Sequence, residues 1–307
     1  MKLLGTKFFL FSLLALLAAG AVLLPTLSSQ DRARLRSQVN LVTVLVSVTD
    51  EHHRPVADLP REQFALEEEG RAQKIEIFEP ETQLPLDLAL MIDASLSTQK
   101  EMESERAAAS RFIHQVLRPG DGLALFEFDE TVHQITRFSD DAAYLQNSLA
   151  HVAPGAGTSL YDALVLGSHA LEDRQGERRR VIILVTDAGE TTSHADFDAA
   201  RTAAIEAGAL LYTIVVRPSP GESGRNTAGE HALEAITDTT GGAIFIPESL
   251  QDLPAIFSTI DRELRTQYRL AYYPAPRGRA GSFRAIEVKV PEKYEARHRK
   301  GYFAGPE

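Results

Sequence analysis

One stretch of the chain concentrates oxygen-bearing side chains in a regular pattern: in Met91-Ile92-Asp93-Ala94-Ser95-Leu96-Ser97, a carboxylate and two hydroxyls recur at every second position. The motif follows a long apolar run, Leu84 to Ile92, that reads as a buried strand, so Asp-x-Ser-x-Ser falls at the strand's carboxyl end. Open α/β sheets bind their ligands at that edge. A loop with oxygens at alternate positions can turn them toward one point. One carboxylate with two neutral hydroxyls suits a hard cation, which takes oxygen donors. Two further loops are expected at the same edge: Gly155-Ala156-Gly157-Thr158-Ser159 before a helix, and Val185-Thr186-Asp187-Ala188-Gly189 after the run Val181 to Val185.

The elements that must position these loops follow from hydrophobic patterning. Continuous apolar runs at Leu84 to Ile92, Gly122 to Phe128, Val181 to Val185, Leu210 to Val216 and Ala243 to Ile246 have the character of strands covered on both faces. Helical periodicity separates them at Thr98 to Leu117, Asp141 to His151, Leu160 to Glu172, Ala195 to Ala207 and His231 to Thr237, and a last helix covers Leu250 to Arg265. The fold class is therefore α/β, with a doubly wound, mostly parallel sheet.

Different patterns flank it. Leu41 to Thr49 alternates, with Val42, Val44, Val46 and Val48 on one face; Phe64 to Glu68 and Gln73 to Phe78 read as strands joined through Glu69-Gly70. Near the other end, Tyr268 to Tyr273 and Phe283 to Val290 read likewise. Two or three isolated strands are marginal, so both sets are expected to form one small β unit into which the α/β domain is inserted. The expected divisions are residues 1–29, a signal peptide or membrane anchor; 30–82, an N-terminal β segment; 83–266, the α/β domain; and 267–307, a C-terminal β segment.

The three loops and the order of the elements around them resemble the von Willebrand factor type A domain and its metal-ion-dependent adhesion site, over about Leu84 to Arg265. The resemblance implies a Rossmann-like fold, Mg2+ or Mn2+ (with Ca2+ admitted) held by Asp93, Ser95, Ser97, Thr158 and Asp187, and a protein partner that offers a carboxylate to the metal. Ala188 departs from the pattern, since the family often has glycine directly after that aspartate. The flanks, Val46 to Asp50, Arg54-Pro55-Val56, Phe64 to Gly70, Leu264 to Tyr268, Phe283-Arg284 and Gly301-Tyr302, are similar to those of bacterial exported proteins called VWFA-related. In related domains a shift of the helix corresponding to Leu250 to Arg265 accompanies a change at the metal, which suggests coupling to the β unit.

Composition narrows the function classes. The formal net charge of −11 disfavours nucleic acid, whose binders need a basic face. The absence of cysteine removes disulfides, thiolate metal sites and cysteine nucleophiles. Lys2 and Lys7 precede the apolar residues 8–24, then Pro25 and Ser28-Ser29-Gln30, which reads as an export signal. Its length lies between a signal core and the roughly 20 residues that span a bilayer. The expected location is therefore the periplasm, the exterior, or the membrane surface by an uncleaved anchor.

No nucleophile elbow, zinc-protease helix or phosphate loop is present. A non-enzymatic, exported, adhesion-type module is expected. An envelope scaffold with a structural metal is the alternative, ahead of a metal-assisted hydrolase with Glu190 or His194 as base. Ordinary structural roles compete for the same residues. Ser97 would cap a helix, and Thr98 with Glu101 would form a capping box. Asp129-Glu130 would turn a hairpin rather than supply an outer carboxylate. Glu67-Glu68-Glu69 would be a solvated strand end, His52-His53 an exposed turn, and Arg297, Arg299 and Lys300 the flank of a strand, with anionic lipid the remoter role. The Gly-, Ser- and Pro-rich loop 218–230 is expected to help choose the partner.

Overall fold

Strand β5 (Leu86–Asp93) is buried at every residue, because it runs through the middle of a sheet whose two faces are both covered by helices. The structure is a computed structural model that describes residues 41–80, 82–216 and 226–305. The expected export segment lies outside these residues, as does most of the 218–230 loop. Among the described residues no helix is long and apolar enough to cross a membrane.

The central sheet joins β5 to β6 (Gly122–Phe128), β7 (Val132–Gln134), β8 (Arg179–Thr186), β9 (Leu210–Val215) and β10 (Ala243–Phe245) in the order β10-β9-β8-β5-β6-β7. All neighbours are parallel except the β6–β7 hairpin. Helices α1 (Met102–Val116), α2 (Ala142–Leu149) and α6 (Leu253–Arg265) cover one face, where Phe112, Leu145, Phe257 and Ile260 pack on Leu88, Leu90 and Ile92. Helices α3 (Leu160–Glu172), α4 (Phe197–Ala207) and α5 (Thr227–Thr240) cover the other, with Leu164, Ala204 and Leu233 against Ala89 and Met91. Successive residues of β5 thus serve opposite cores, which is why a central parallel strand is apolar throughout.

Two four-stranded sheets complete the fold: β13 (Tyr294–His298), β1 (Val42–Asp50), β11 (Tyr268–Tyr272) and β4 (Ile75–Glu79); and β14 (Gly301–Phe303), β12 (Phe283–Lys289), β2 (Ala65–Glu68) and β3 (Arg71–Gln73), each in that order. Each sheet combines N- and C-terminal strands, alternating in the first and meeting at β12–β2 in the second, with β1 antiparallel to β11 and β13, and β2 to β12. Val42, Val44, Val46 and Val48 meet Phe64, Leu66, Tyr268, Leu270, Ile286 and Val288 in a shared core.

Several boundaries differ from expectation for local reasons. The single strand expected at Gln73 to Phe78 divides at Lys74: β3 pairs with β2, whereas β4 crosses to the other sheet and pairs with β11. Helix α5 starts four residues earlier than His231, because Asn226 caps it by accepting from Gly229 N at 3.0 Å. The acidic run Glu67 to Glu69 is not solvated throughout. Glu68 is fully buried and accepts from Tyr272 Oη at 2.6 Å, Arg284 Nε at 2.7 Å and Tyr302 Oη at 3.2 Å. Arg297 and Arg299 turn inward, to Glu263 and to the carbonyl of Thr43, so neither guanidinium is directed to a lipid surface.

Candidate metal centre

Asp93 ends β5 and is wholly inaccessible to solvent. Its carboxylate is oriented from two sides: Oδ1 accepts from Ser95 N at 2.9 Å, and Oδ2 accepts from the Thr186 hydroxyl at 2.6 Å. The loop then tightens into a 3-10 turn, Leu96–Thr98, that brings Ser95 Oγ and Ser97 Oγ to 2.9 Å. Thr98 stabilises this turn from below, its hydroxyl lying 2.9 Å from Asp93 O and 3.0 Å from Ser95 O. The capping box expected of Thr98 with Glu101 is therefore not formed. Glu101 is itself the residue preceding α1, and Ser97 directs its hydroxyl to Ser95 instead of to a helix end.

The second loop is attached to the first, since Gly155 N donates to Ala94 O at 2.7 Å. It is attached to the third through Thr158, whose N–H donates to Thr191 Oγ1 at 2.8 Å and whose carbonyl accepts from Thr191 N at 2.9 Å. In the third loop Asp187 Oδ1 accepts from Gly189 N at 2.8 Å. A Cβ on Gly189 would stand 2.9 Å from Asp187 Oδ1 and 3.3 Å from Thr158 Oγ1, so both oxygens lie against the same glycine. The three loops that carry Asp93, Ser95, Ser97, Thr158 and Asp187 are thus joined at one edge of the sheet. Asp129 turns the β6–β7 hairpin, with its N–H donating to Thr131 O at 2.9 Å, and its carbonyl accepts from Ser159 N at 2.7 Å to buttress the second loop.

Burial pushes the Asp93 carboxyl up to about 6, against the bonds from Ser95 and Thr186, and Asp187 raises it further. Glu105, in the first turn of α1, is pushed up to about 8 by burial and then by Asp93, Glu101 and Asp187. The charged side chains that act most on the two carboxyls are other acids. Both Glu105 oxygens lack a hydrogen-bond partner. Buried acids that repel one another are an electrostatic imbalance that a divalent cation would relieve. The donor set, two carboxylates and three hydroxyls, has the hardness Mg2+ or Mn2+ requires. Among the described residues no group of three or more His, Cys, Asp or Glu side chains could hold a metal by itself, so any cation here would depend on the Ser and Thr oxygens.

Sequence reasoning overlooked Glu105 and Thr186. A signal for Glu105 existed: Met102, Glu105, Ala109, Phe112 and Val116 form a stripe at helical spacing in which the only charged residue is the glutamate. The residues considered as hydrolytic bases have other partners. Glu190 accepts from Ser193 N at 2.9 Å, Ser193 Oγ at 2.7 Å and Tyr161 N at 3.1 Å. His194 Nδ1 lies 3.2 Å from Asp162 Oδ2, with its side chain almost fully exposed.

A doubly wound sheet that gathers oxygen donors from three loops at its carboxyl edge defines the class. Residues 88–190 match the family described as von Willebrand factor type A domain, a span that includes all five residues named above. This stretch, about a third of the chain, is therefore similar to a von Willebrand factor type A domain. Among solved structures it is similar to the von Willebrand factor type A protein from Catenulispora acidiphila, with 12% identity and a TM-score of 0.51 over 87% of this chain and 74% of that one. It is similar to the pilus adhesin SpaC from Lactobacillus rhamnosus GG, with 9% identity and a TM-score of 0.50 over 79% of this chain and 48% of that one. BatB from Bacteroides thetaiotaomicron matches with 18% identity and a TM-score of 0.47 over 58% of this chain and 98% of that one. No curated protein matches the chain.

Proposed function

We propose that this protein is an exported, non-enzymatic binding module that captures an acidic group of a protein partner through one Mg2+ or Mn2+ ion held by Asp93, Ser95, Ser97, Thr158 and Asp187. The observation that carries this reading is the buried Asp93 carboxylate, aimed by Ser95 and Thr186 and acted on by the like charge of Asp187. When bound, the ion would supply a positive charge that a partner carboxylate can complete. The protein's own part is to fix the donors. Thr186 and the Ser95 amide orient Asp93, the 3-10 turn pairs Ser95 with Ser97, and the close packing at Gly189 keeps Thr158 beside Asp187. Three neutral hydroxyls leave much of the cation's charge available to the partner. The fold of SpaC, a pilus adhesin, is consistent with use of this architecture for adhesion.

Calorimetric titration of Mg2+ and Mn2+ into the protein and into Asp93→Ala tests the proposal. Binding at millimolar or lower concentration that is lost in the variant is the expected result; no binding to the folded wild type would overturn it. An envelope scaffold with a structural metal is the second reading. It predicts that Asp93→Ala lowers thermal stability while folded variant still captures its partner. Hydrolysis is less favoured, because Glu190 and His194 are engaged with Ser193, Tyr161 and Asp162.

A further inference from the structure

Glu105 occupies a position that packing alone does not explain. It lies in the inward stripe of α1 between Met102 and Ala109, is 1% exposed, and has no hydrogen-bond partner on either carboxyl oxygen. A leucine or methionine would fill such a position without desolvating a polar group, whereas an unpaired buried carboxyl is costly in either protonation state. The usual remedies are missing. The charged groups that act on Glu105 are Asp93, Glu101 and Asp187, all acidic. Glu101, one turn earlier, is 6% exposed and also has an unpartnered oxygen, Oε2. Two of the three acids facing Glu105 are thus the carboxylates of the candidate metal centre. A positive charge at that centre would offset the acids that act on Glu105.

We propose that Glu105 is an outer carboxylate of the metal centre, which does not ligate the cation but raises the site's affinity for it by placing a further negative charge behind Asp93 and Asp187. The inference rests on the metal-dependent reading given above. It accounts for an acid in an apolar stripe: the cost falls on the metal-free protein and is offset when the cation arrives. Residues just outside a ligand shell ordinarily change metal affinity by about 10- to 100-fold when replaced, which sets the size of the expected effect.

The test compares full-length wild type, Glu105→Gln and Glu105→Leu by calorimetric titration with Mg2+ and Mn2+ and by thermal unfolding with and without each ion. Both variants should bind the ions about 10-fold more weakly or worse. In the metal-free state Glu105→Leu should melt higher than wild type, because an uncompensated buried acid has been replaced by a side chain that suits the stripe. A purely structural role would not produce those opposite signs. Variants that bind both ions with wild-type affinity would overturn the inference and leave the metal-dependent reading intact. A folded wild type that binds neither ion would overturn both. If Glu105→Gln does not fold, the two readouts on Glu105→Leu decide the matter.

Discussion

The hydroxyl of Thr186 donates to Asp93 Oδ2 at 2.6 Å and accepts from the amide of Ala188 at 3.0 Å, which ties the end of β8 to the end of β5 and to the third loop at once. All three residues are buried. Thr186→Val keeps the shape and removes both hydrogen bonds, stranding a carboxylate oxygen and an N–H. We expect a loss of about 2–4 kcal/mol in urea unfolding, since each buried group left unpaired costs about 1–3 kcal/mol. Mg2+ binding should weaken as well, because Asp93 is then aimed by Ser95 alone. A variant as stable as wild type would show that the pair is not a constraint on the site.

Ala188 stands directly after Asp187 with a φ of 66°, a left-handed conformation that costs a non-glycine residue roughly 1–2 kcal/mol. Its methyl is buried against the α3–α5 face of the sheet, which offsets that cost by about 0.8 kcal/mol. Ala188→Gly should therefore leave stability unchanged or raise it by up to about 1 kcal/mol. Ala188→Val, β-branched at positive φ, should lose more than about 2 kcal/mol. The loop also has little freedom to relax: a Cβ on Gly229 would overlap the Ala188 carbonyl, and Asn226 Nδ2 donates to the same oxygen at 2.8 Å. Equal stabilities of the two variants in denaturant melts would count against strain at this position.

These sites show what a sequence can and cannot convey. The runs Gly122 to Phe128 and Leu160 to Glu172 coincide with β6 and α3 end to end, because a strand covered on both faces and an amphipathic helix write their environments locally. The Asp-x-Ser-x-Ser loop was legible for the same reason, as a polar pattern immediately after an apolar run. Glu68 was not, because the side chains that bury it, Tyr272, Arg284 and Tyr302, come from the far end of the chain. A terminal strand was expected beside Arg297, Arg299 and Lys300, but the bounds of β13 and β14 were not legible because Tyr-Glu-Ala-Arg-His and Gly-Tyr-Phe carry no clear alternation; partners on β1 and β12 make them strands.

His298 links the two terminal sheets and gives a pH dependence remote from the candidate metal centre. It lies on β13, is 4% exposed, accepts from Val288 N on β12 through Nε2 at 3.0 Å, and has Nδ1 2.8 Å from Arg299 O. An accepting Nε2 and a donating Nδ1 require the neutral ring, and burial lowers its pKa below the ordinary 6.5. Below pH 6.5 the unfolded chain takes up a proton that the folded ring resists. The stabilisation is therefore complete above 6.5 and is lost as pH falls toward the lower folded-state value. Relative to His298→Gln, wild type should lose stability between pH 7.5 and 5, at no more than about 1.4 kcal/mol per pH unit. Parallel pH profiles for the two proteins would refute the assignment.

The end of α6 is held from several directions, and this bears on whether the helix moves when the metal site is filled. Glu263, 3% exposed, accepts from Tyr212 Oη on β9 at 2.6 Å and from the Arg297 guanidinium on β13, while Arg297 Nη1 donates to Gly242 O at 2.8 Å. Arg179 donates to the carbonyl of Leu264, and Arg265 reaches the carbonyl of Val116 and, at 3.2 Å, Asp121 Oδ2. Glu263→Ala leaves both a phenol and a guanidinium in the interior without their acceptor, and should cost about 3–5 kcal/mol. Adding Arg297→Ala to it should cost clearly less than the sum of the two single changes, with a coupling of about 1–3 kcal/mol in a double-mutant cycle. An axial shift of α6 would have to break the same contacts. Amide exchange in its last turn, Asp261 to Arg265, should therefore stay slow in wild type with or without Mg2+ and an acidic ligand, and speed up in Glu263→Ala. Faster exchange in wild type on adding Mg2+ and the ligand would show that the clamp opens and that the helix does carry a signal toward β11.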